Sequence, residues 1–328
     1  MTKILSIDGG GIRGIIPAMV LAEIERRVQQ PIATLFDLVA GTSTGGIIAL
    51  GLTIPKCPGA PLYAAQRFVE LYQHHGPRIF SRSPVRAMFA IDNLTWKKYS
   101  SNAIEQVLAE YFGDSRLSDA QTNVLVTSYE LERHFPFLFK SSNARQRRDY
   151  DFLVRDVARA TSAAPTYFEP MKIPTGTHTC YYTLIDGGVF ANNPAACALV
   201  EARTSLPDDD YLMVSLGTGS LAHHYLPLNM AKYWGVVRWA APLLDIVFDG
   251  VSSTVDYQLA QLLPVTPGPA QRYYRFQTVL DRSNASLDDA SPSNITALKC
   301  LANNLIDQSY EQLDQLCEAL TRSQSQKE

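Results

Sequence analysis

The stretch FDLVAGTSTGGIIALGL, residues 36–52, sets a serine between two glycines where one apolar run ends and another begins. The apolar residues before this point predict a buried strand, and those after it predict a helix. So tight a turn strains the backbone at its apex and directs the Ser43 hydroxyl outward, while Gly41 and Gly45 leave room for neighbouring elements. The amino end of the helix also favours a developing negative charge. This G-x-S-x-G motif predicts a nucleophilic serine, and a turn that only caps a helix is the alternative interpretation.

A second glycine motif follows the short apolar strand KILSID, residues 3–8. Adjacent glycines allow their backbone N–H groups to turn toward one point and bind an anion. Several interpretations are open: a dinucleotide loop, a phosphate loop of an ATPase or kinase built around Asp8, an oxyanion hole for acyl transfer, or a tight turn without a ligand. Arg13 would either bind a phosphate headgroup or tie the loop to a neighbour. The motif comprises Asp8, Gly9, Gly10, Gly11, Arg13 and Gly14.

A third motif, Asp186-Gly187-Gly188, follows the predicted strand YYTLID, residues 181–186. Its aspartate either accepts a hydrogen bond from a hydroxyl across the sheet edge or caps the next segment, which is the commoner role.

The order of predicted elements relates the three motifs. Strand, loop and helix alternate, which predicts an α/β fold with a parallel sheet and helices on its faces. Since each motif follows a strand, we expect all three to converge at one edge of the sheet. A nucleophile, an anion-binding loop and a carboxylate are the groups that acyl transfer needs. A dehydrogenase or a kinase does not need the serine turn.

Longer segments resemble a known family. The segments LSIDGGGIRGIIPA, GTSTGG, ARATSAAPTYFEP, IDGGVFANNPA and VSLGTG are similar, in that order, to segments of patatin-like lipid acyl hydrolases. DDASPSNITAL extends the resemblance over nearly the whole chain.

The resemblance implies a three-layer α/β/α sandwich with a mostly parallel central sheet. It also implies hydrolysis of acyl esters of phospholipids or related glycerolipids by a Ser–Asp dyad. It places the nucleophile on Ser43, the base on Asp186, and the oxyanion donors on Gly10 and Gly11. Two alternatives remain: an ATPase or kinase that uses the Asp8 loop, and a patatin-like effector gated by a small signal molecule, for which the sequence shows no site.

The acceptor of the serine proton is a separate question, because a Ser-His-Asp triad would use histidine. None of the six histidines lies in the three motifs. His223 and His224 follow a predicted strand and fit the Ser-Asp-His chain order of α/β-hydrolases. The resemblance favours Asp186 alone as the base, and its carboxylate would have to be poorly solvated to be basic enough.

Composition narrows the classes of partner. The chain has 328 residues with 29 basic and 32 acidic side chains, so its net charge of −3 gives no general attraction to nucleic acid. We expect a phospholipid or glycolipid substrate and transient contact with a membrane surface. The sequence shows no cluster of metal ligands, and we expect neither a metal nor a cofactor.

Targeting signals and cysteines suggest a location. The five cysteines are scattered and lack a C-x-x-C pair, which favours reduced thiols. No signal peptide and no apolar run long enough to span a bilayer are present. We therefore expect a cytoplasmic protein of bacterial type, with specialised secretion as the alternative.

The distribution of turn-forming residues predicts the domain organisation. We expect a single hydrolase domain over residues 1–328, helical from about residue 232, with a frayed tail at 321–328. Residues 74–92, which hold two prolines and three arginines, predict a mobile flap near the site. The stretch RQRR, residues 145–148, predicts a solvated loop, and a lipid-headgroup site is the alternative interpretation.

Overall fold

A central sheet of eight strands organises the fold in a computed structural model, which describes residues 1–57, 60–81, 99–175, 180–206, 210–221, 232, 235–264, 268 and 270–322. The strand order is β11-β9-β1-β2-β5-β8-β7, and β6 pairs with β5. The strands are β1 (Thr2–Ile7), β2 (Leu38–Thr42), β5 (Asn123–Glu130), β6 (Phe135–Lys140), β7 (Met171–Pro174), β8 (Tyr181–Asp186), β9 (Tyr211–Leu216) and β11 (Tyr273–Phe276). Two short pairs lie apart from this sheet: β3 (Pro55–Cys57) with β4 (Ala60–Pro61), and β10 (Ser220–Leu221) with β12 (Val279–Leu280).

The strands from β11 to β5 are parallel. The strands β1, β2 and β9 are buried along their whole length, as expected for parallel strands covered on both faces. Ile7 pairs with both Gly41 and Leu216, so three strands end at a common carboxyl edge. The strands β6, β7 and β8 pair with their neighbours in the antiparallel sense.

Helices cover both faces of the sheet. They are α1 (Ile15–Val28), α2 (Ile32–Leu35), α3 (Thr44–Thr53), α4 (Gln66–Ile79), α5 (Ser101–Phe112), α6 (Ser141–Gln146), α7 (Val154–Thr161), α8 (Gly188–Ala191), α9 (Ala195–Ser205), α10 (Val236–Leu262), α11 (Pro292–Gln308) and α12 (Tyr310–Arg322). Local signals mark several of their ends. The Ser100 side chain caps α5, which ends at Phe112 and has Gly113 as its C-cap, and Ser291 caps α11 ahead of a proline in the first turn.

Alternate residues of the central strands face different helical layers. Leu5 and Val39 belong to the hydrophobic cluster that includes α1 and α3. Ile4 and Leu38, one residue away, belong to a second cluster with α9 and α10. Since successive side chains of a strand point to opposite faces, the sheet lies between two helical layers. The predicted α/β/α sandwich with a mostly parallel sheet is confirmed.

Several local predictions differ from the structure. Residues 74–79 form the end of α4 and not a flap, and residues 82–92 lie outside the described residues. Within the part expected to be helical from about residue 232, the stretch YYRFQTVL, residues 273–280, forms β11 and β12. Residues 321 and 322 complete α12, and the remainder of the predicted tail is not described. Among the helices that the structure describes, none is long and apolar enough to cross a bilayer.

Candidate active site

Strand β5 brings Ser43 and Asp186 together. Thr42, the last residue of β2, pairs with Thr127, and Asp186, the last residue of β8, pairs with Ser128. The strand β6 occupies the opposite edge of β5 over the same residues, so β2 and β8 share one edge and meet end to end. Ser43 and Asp186 converge at the carboxyl edge of the sheet, as predicted. However, Asp186 ends a strand that is antiparallel to β5 and not a parallel strand.

Ser43 lies at the apex of the turn between β2 and α3. Its backbone has φ 54° and ψ −122°, a conformation that a residue with a Cβ rarely adopts. The Ser43 N–H donates to Thr161 Oγ1 at 2.8 Å, and Thr161 Oγ1 donates to the Thr127 carbonyl at 2.7 Å. A Cβ on Gly45 would collide with the Ile7 carbonyl, and one on Gly41 would collide with the Gly45 carbonyl. The two glycines therefore allow close approach of strand and helix, as predicted.

Asp186 is buried, and its electrostatics differ from those of an ordinary carboxylate. Burial raises its pKa from 3.8 to about 7, since a low-dielectric surrounding disfavours the ionised form. Hydrogen bonds from the Ser43 hydroxyl and the Gly188 amide partly offset this rise. The Gly188 N–H donates to Asp186 Oδ1 at 2.7 Å, and a Cβ on Gly187 would collide with Thr127. The carboxylate is thus poorly solvated and adjacent to the serine.

The glycine loop is held at both ends by backbone hydrogen bonds. The Gly9 N–H donates to the Asn192 carbonyl at 2.9 Å, and the Ile12 N–H donates to the Leu287 carbonyl at 2.9 Å. Between them, the N–H groups of Gly10 and Gly11 have no acceptor among the described residues. Gly11 has φ +57°, and a Cβ there would collide with the Leu287 carbonyl, so this position requires glycine.

The charged residues of this loop have structural partners. Arg13 is buried; its Nε donates to the Gly10 carbonyl at 3.3 Å and its Nη1 to the Ala285 carbonyl at 3.4 Å. Of the two roles considered for Arg13, the structure supports tying the loop. Arg275 binds both oxygens of buried Asp8, at 3.1 and 2.6 Å. This bidentate pair occupies the carboxylate that a kinase built around Asp8 would need. Gly14 lies against Thr44, where a Cβ would collide with its hydroxyl.

An apolar cleft opens beside Ser43. Its polar lining includes Ser43, Asp186 and the backbone of Gly10 and Gly11. Aliphatic and aromatic side chains from α3, α4, α5, α10 and three loop segments form its walls. They are Ile47, Leu71, Tyr72, Ile79, Phe80, Ile104, Val107, Leu108, Tyr167, Phe168, Phe248 and Leu287. Such a surface accommodates a hydrocarbon chain with its polar end at the serine.

Comparison with known sequences identifies the family. Residues 5–199 match the profile of the Patatin family, described as patatin-like phospholipase. This chain belongs to the patatin-like phospholipase family. Patatin-like protein 4 of Arabidopsis thaliana is 33% identical, over 94% of this chain and 84% of its own length. A Solanum tuberosum relative named "Probable inactive patatin-3-Kuras 1" is 32% identical, over 95% of this chain and 88% of its own.

Among solved structures, VipD from Legionella pneumophila has a TM-score of 0.44 and 12% identity, and the match covers 94% of this chain and 67% of VipD. The sequence relatives confirm the patatin-like resemblance seen in the motifs.

Several contacts in this patatin-like site were not predicted. Thr161 and Thr218 lie inside segments that carry the resemblance, but their side-chain roles were not identified. Thr218 Oγ1 donates to the Gly9 carbonyl at 2.6 Å, which fixes the start of the loop. Arg275 and Leu287 come from the C-terminal third of the chain, and no local pattern relates them to residues 8–12.

His223 and His224 lie outside the described residues, and His74 and His75 are on α4. In the part of the chain that is described, no group of three or more histidine, cysteine or acidic side chains is arranged to hold a metal ion.

Proposed function

We propose that this chain hydrolyses acyl esters of phospholipids or related glycerolipids through a covalent intermediate on Ser43. The observation that carries the proposal is the contact of the Ser43 hydroxyl with a buried Asp186, whose pKa is raised to about 7, beside an apolar cleft. A carboxylate with this pKa is a much better base near neutral pH than an ordinary aspartate.

The first half-reaction forms an acyl-enzyme. Asp186 accepts the proton of the Ser43 hydroxyl as the oxygen attacks the carbonyl carbon of the ester. The N–H groups of Gly10 and Gly11 donate to the oxyanion of the tetrahedral intermediate. When the intermediate collapses, the C–O bond to the alcohol breaks, and protonated Asp186 returns the proton to the leaving oxygen.

The second half-reaction regenerates the serine. Asp186 accepts a proton from a water molecule that attacks the acyl carbonyl, and the same N–H pair binds the second oxyanion. The Ser43–acyl bond breaks, the serine oxygen regains its proton from Asp186, and the fatty acid leaves. The reaction uses protein groups and water only.

The cleft supports a lipid as the acyl donor. Its walls provide apolar contact to an acyl chain, and burial of each methylene contributes about 0.8 kcal/mol of binding free energy. We further propose that residues 1–328 form a single domain, because β11, from the C-terminal third, pairs with β9 in the central sheet.

The proposal is tested by covalent labelling and by product analysis. A fluorophosphonate probe is expected to label the wild-type protein and Ser205→Ala, whose serine lies at the end of α9, but not Ser43→Ala. Mass spectrometry of a mixed lipid extract should show free fatty acid and a matching deacylated lipid with the wild-type protein and Ser205→Ala but not with Ser43→Ala. Probe labelling of Ser43→Ala, or equal lipid turnover by the wild-type protein and Ser43→Ala, would refute the assignment of Ser43 as the nucleophile. Because one relative is named as inactive, both measurements are needed.

A further inference from the structure

The hairpin of β7 and β8 projects past the serine. Strand β8 begins at Tyr181 and runs back to Asp186, so Tyr181 lies about 16 Å beyond the carboxylate along the strand. The turn between β5 and β6 projects on the same side, because Glu130 pairs with both Phe135 and Leu184. Both hairpins therefore present a surface beyond the carboxyl edge where Ser43 lies.

Three cations on this surface each lie over a tyrosine ring. Arg133 is 5.5 Å from the centre of the Tyr182 ring, Arg147 is 4.5 Å from that of Tyr150, and the Lys172 ammonium is 3.3 Å from that of Tyr181. A hydrogen bond joins Tyr150 and Tyr182, and Arg133 Nη2 donates to the Tyr181 carbonyl at 3.3 Å. Tyr182, with Arg133 and Tyr150 against it, faces one side of the hairpin, whereas Lys172 and Tyr181 face the other side, since successive side chains of a strand point to opposite faces. The six residues on both faces of the projecting hairpins are called the tyrosine–cation patch.

The cationic groups of the patch form no direct ion pair among the described residues, although the Glu132 carboxylate accepts a hydrogen bond from Thr183, the cross-strand partner of Lys172. Within the described ranges, no carboxylate lies within 4 Å of the cationic groups of Arg133, Arg147 or Lys172, although ion pairs such as Arg155 with Asp114 occur elsewhere on the surface. All three cationic residues are exposed. Exposed apolar side chains border them: Leu131 is 38% exposed and Phe135 is 37% exposed. Unpaired cations, tyrosines and apolar residues thus occur side by side.

We propose that the tyrosine–cation patch binds an anionic phospholipid surface and holds the Ser43 cleft next to it. The cations face lipid phosphates, and tyrosines suit the boundary between headgroups and acyl chains, where an amphipathic ring satisfies both environments. Leu131 and Phe135 favour a lipid surface over a nucleic acid, whose phosphate backbone offers them no apolar contact. The proposal deepens the proposed function and depends on it for its biological meaning, but binding is measurable without turnover.

The test uses Ser43→Ala protein, so that binding does not depend on the proposed chemistry. Vesicles of phosphatidylcholine alone, or mixed with an equal part of phosphatidylglycerol, are sedimented with the protein. The parent should bind the mixed vesicles more tightly, and Arg133→Gln/Arg147→Gln should bind them about 25-fold more weakly, at about fivefold for each charge lost. The control, Lys56→Gln/Arg203→Gln, removes the same charge at the opposite edge of the sheet, where exposed Lys56 follows α3 and exposed Arg203 lies in the last turn of α9. Its affinity for the mixed vesicles should stay within about twofold of that of the parent.

Thermal melting checks that each variant is folded. If Arg133→Gln/Arg147→Gln does not fold, Lys172→Gln alone replaces it and is expected to bind the mixed vesicles about fivefold more weakly than the parent. Equal binding of parent and patch variant, or equal losses in patch and control variants, would overturn the proposal. The proposal would also be overturned if the parent bound a short DNA duplex more tightly than the mixed vesicles and the patch variant lost this DNA binding. Loss of vesicle binding by the patch variant, with probe labelling intact when the same patch substitutions are made in protein that retains Ser43, would separate this proposal from the proposed function.

Discussion

Asp186→Asn is expected to stabilise the protein while removing most of its activity. Burial raises the pKa of Asp186 from 3.8 to about 7, so the folded state holds this proton more tightly than the unfolded chain does. The folded state is therefore destabilised as pH rises from about 4 to about 7. A shift of about three pH units at 1.36 kcal/mol each makes the ionised carboxylate unfavourable by about 4 kcal/mol. Asparagine has a similar size, accepts the Gly188 N–H and never ionises.

The gain in stability of Asp186→Asn should be visible as a difference in melting temperature from wild type that depends on pH. An unfolding entropy of about 2.1 cal/mol/K per residue gives about 0.7 kcal/mol/K for the whole chain. About 4 kcal/mol then corresponds to a rise of about 6 °C at pH 8. At pH 4 wild type is also neutral at this position, so the two proteins should melt together.

The same substitution removes the proposed base. Turnover of a soluble ester should fall about 10²–10⁴-fold, as is usual when general-base catalysis is lost. In the wild-type protein the rate should rise as Asp186 ionises, with a midpoint near pH 7. Differential scanning calorimetry and ester hydrolysis across this pH range test both effects on the same samples. An equal or lower melting temperature for the variant at pH 8, or a retained rate, would refute the account of a desolvated base.

The remaining predictions concern strain, positioning and charge. Ser43→Gly should be more stable than Ser43→Ala by about 1–2 kcal/mol in urea unfolding, because only glycine adopts φ 54° without strain; equal stabilities would contradict this. Thr161→Val should slow fluorophosphonate labelling about tenfold by leaving the Ser43 N–H without its acceptor, and Thr161→Ser should restore the rate; equal rates for all three proteins would argue against a positioning role. Arg275→Met should destabilise the fold by about 3–5 kcal/mol because Asp8 is left buried and unpaired. In the same unfolding assay, Asp8→Leu/Arg275→Met should recover most of that loss, and purely additive losses would exclude the pairing as the cause.

The fold and the central residues of the site were predictable because their signals are local. Each parallel strand is a continuous apolar run, and the glycines of the three motifs mark places where backbones approach closely. Ser43 could be identified from two glycines and the elements on either side of it. The patatin-like motifs then indicated a partner for the serine that spacing alone did not specify.

The unpredicted contacts join residues that are far apart in the chain. Asp8 and Arg275 are separated by 267 positions, and nothing near either residue indicates the other. The direction of β8 depends on its pairing with β5, which an apolar run of six residues does not reveal. The hydroxyl of Thr161 has two backbone partners that only the folded chain brings within reach.

The end-to-end meeting of β2 and β8 along β5 makes the site tolerant of some insertions and sensitive to others. The pairing of Asp186 with Ser128 fixes the position of the carboxylate along β5. The far end of the β7–β8 hairpin can therefore gain or lose residues in pairs without moving the carboxylate. Deleting one residue between Leu184 and Asp186 would instead turn the carboxylate to the other face of the sheet, since side chains alternate with a period of two. A protein engineer who wished to attach a new recognition element near the cleft could therefore lengthen that hairpin and leave the positions of Ser43 and Asp186 unchanged.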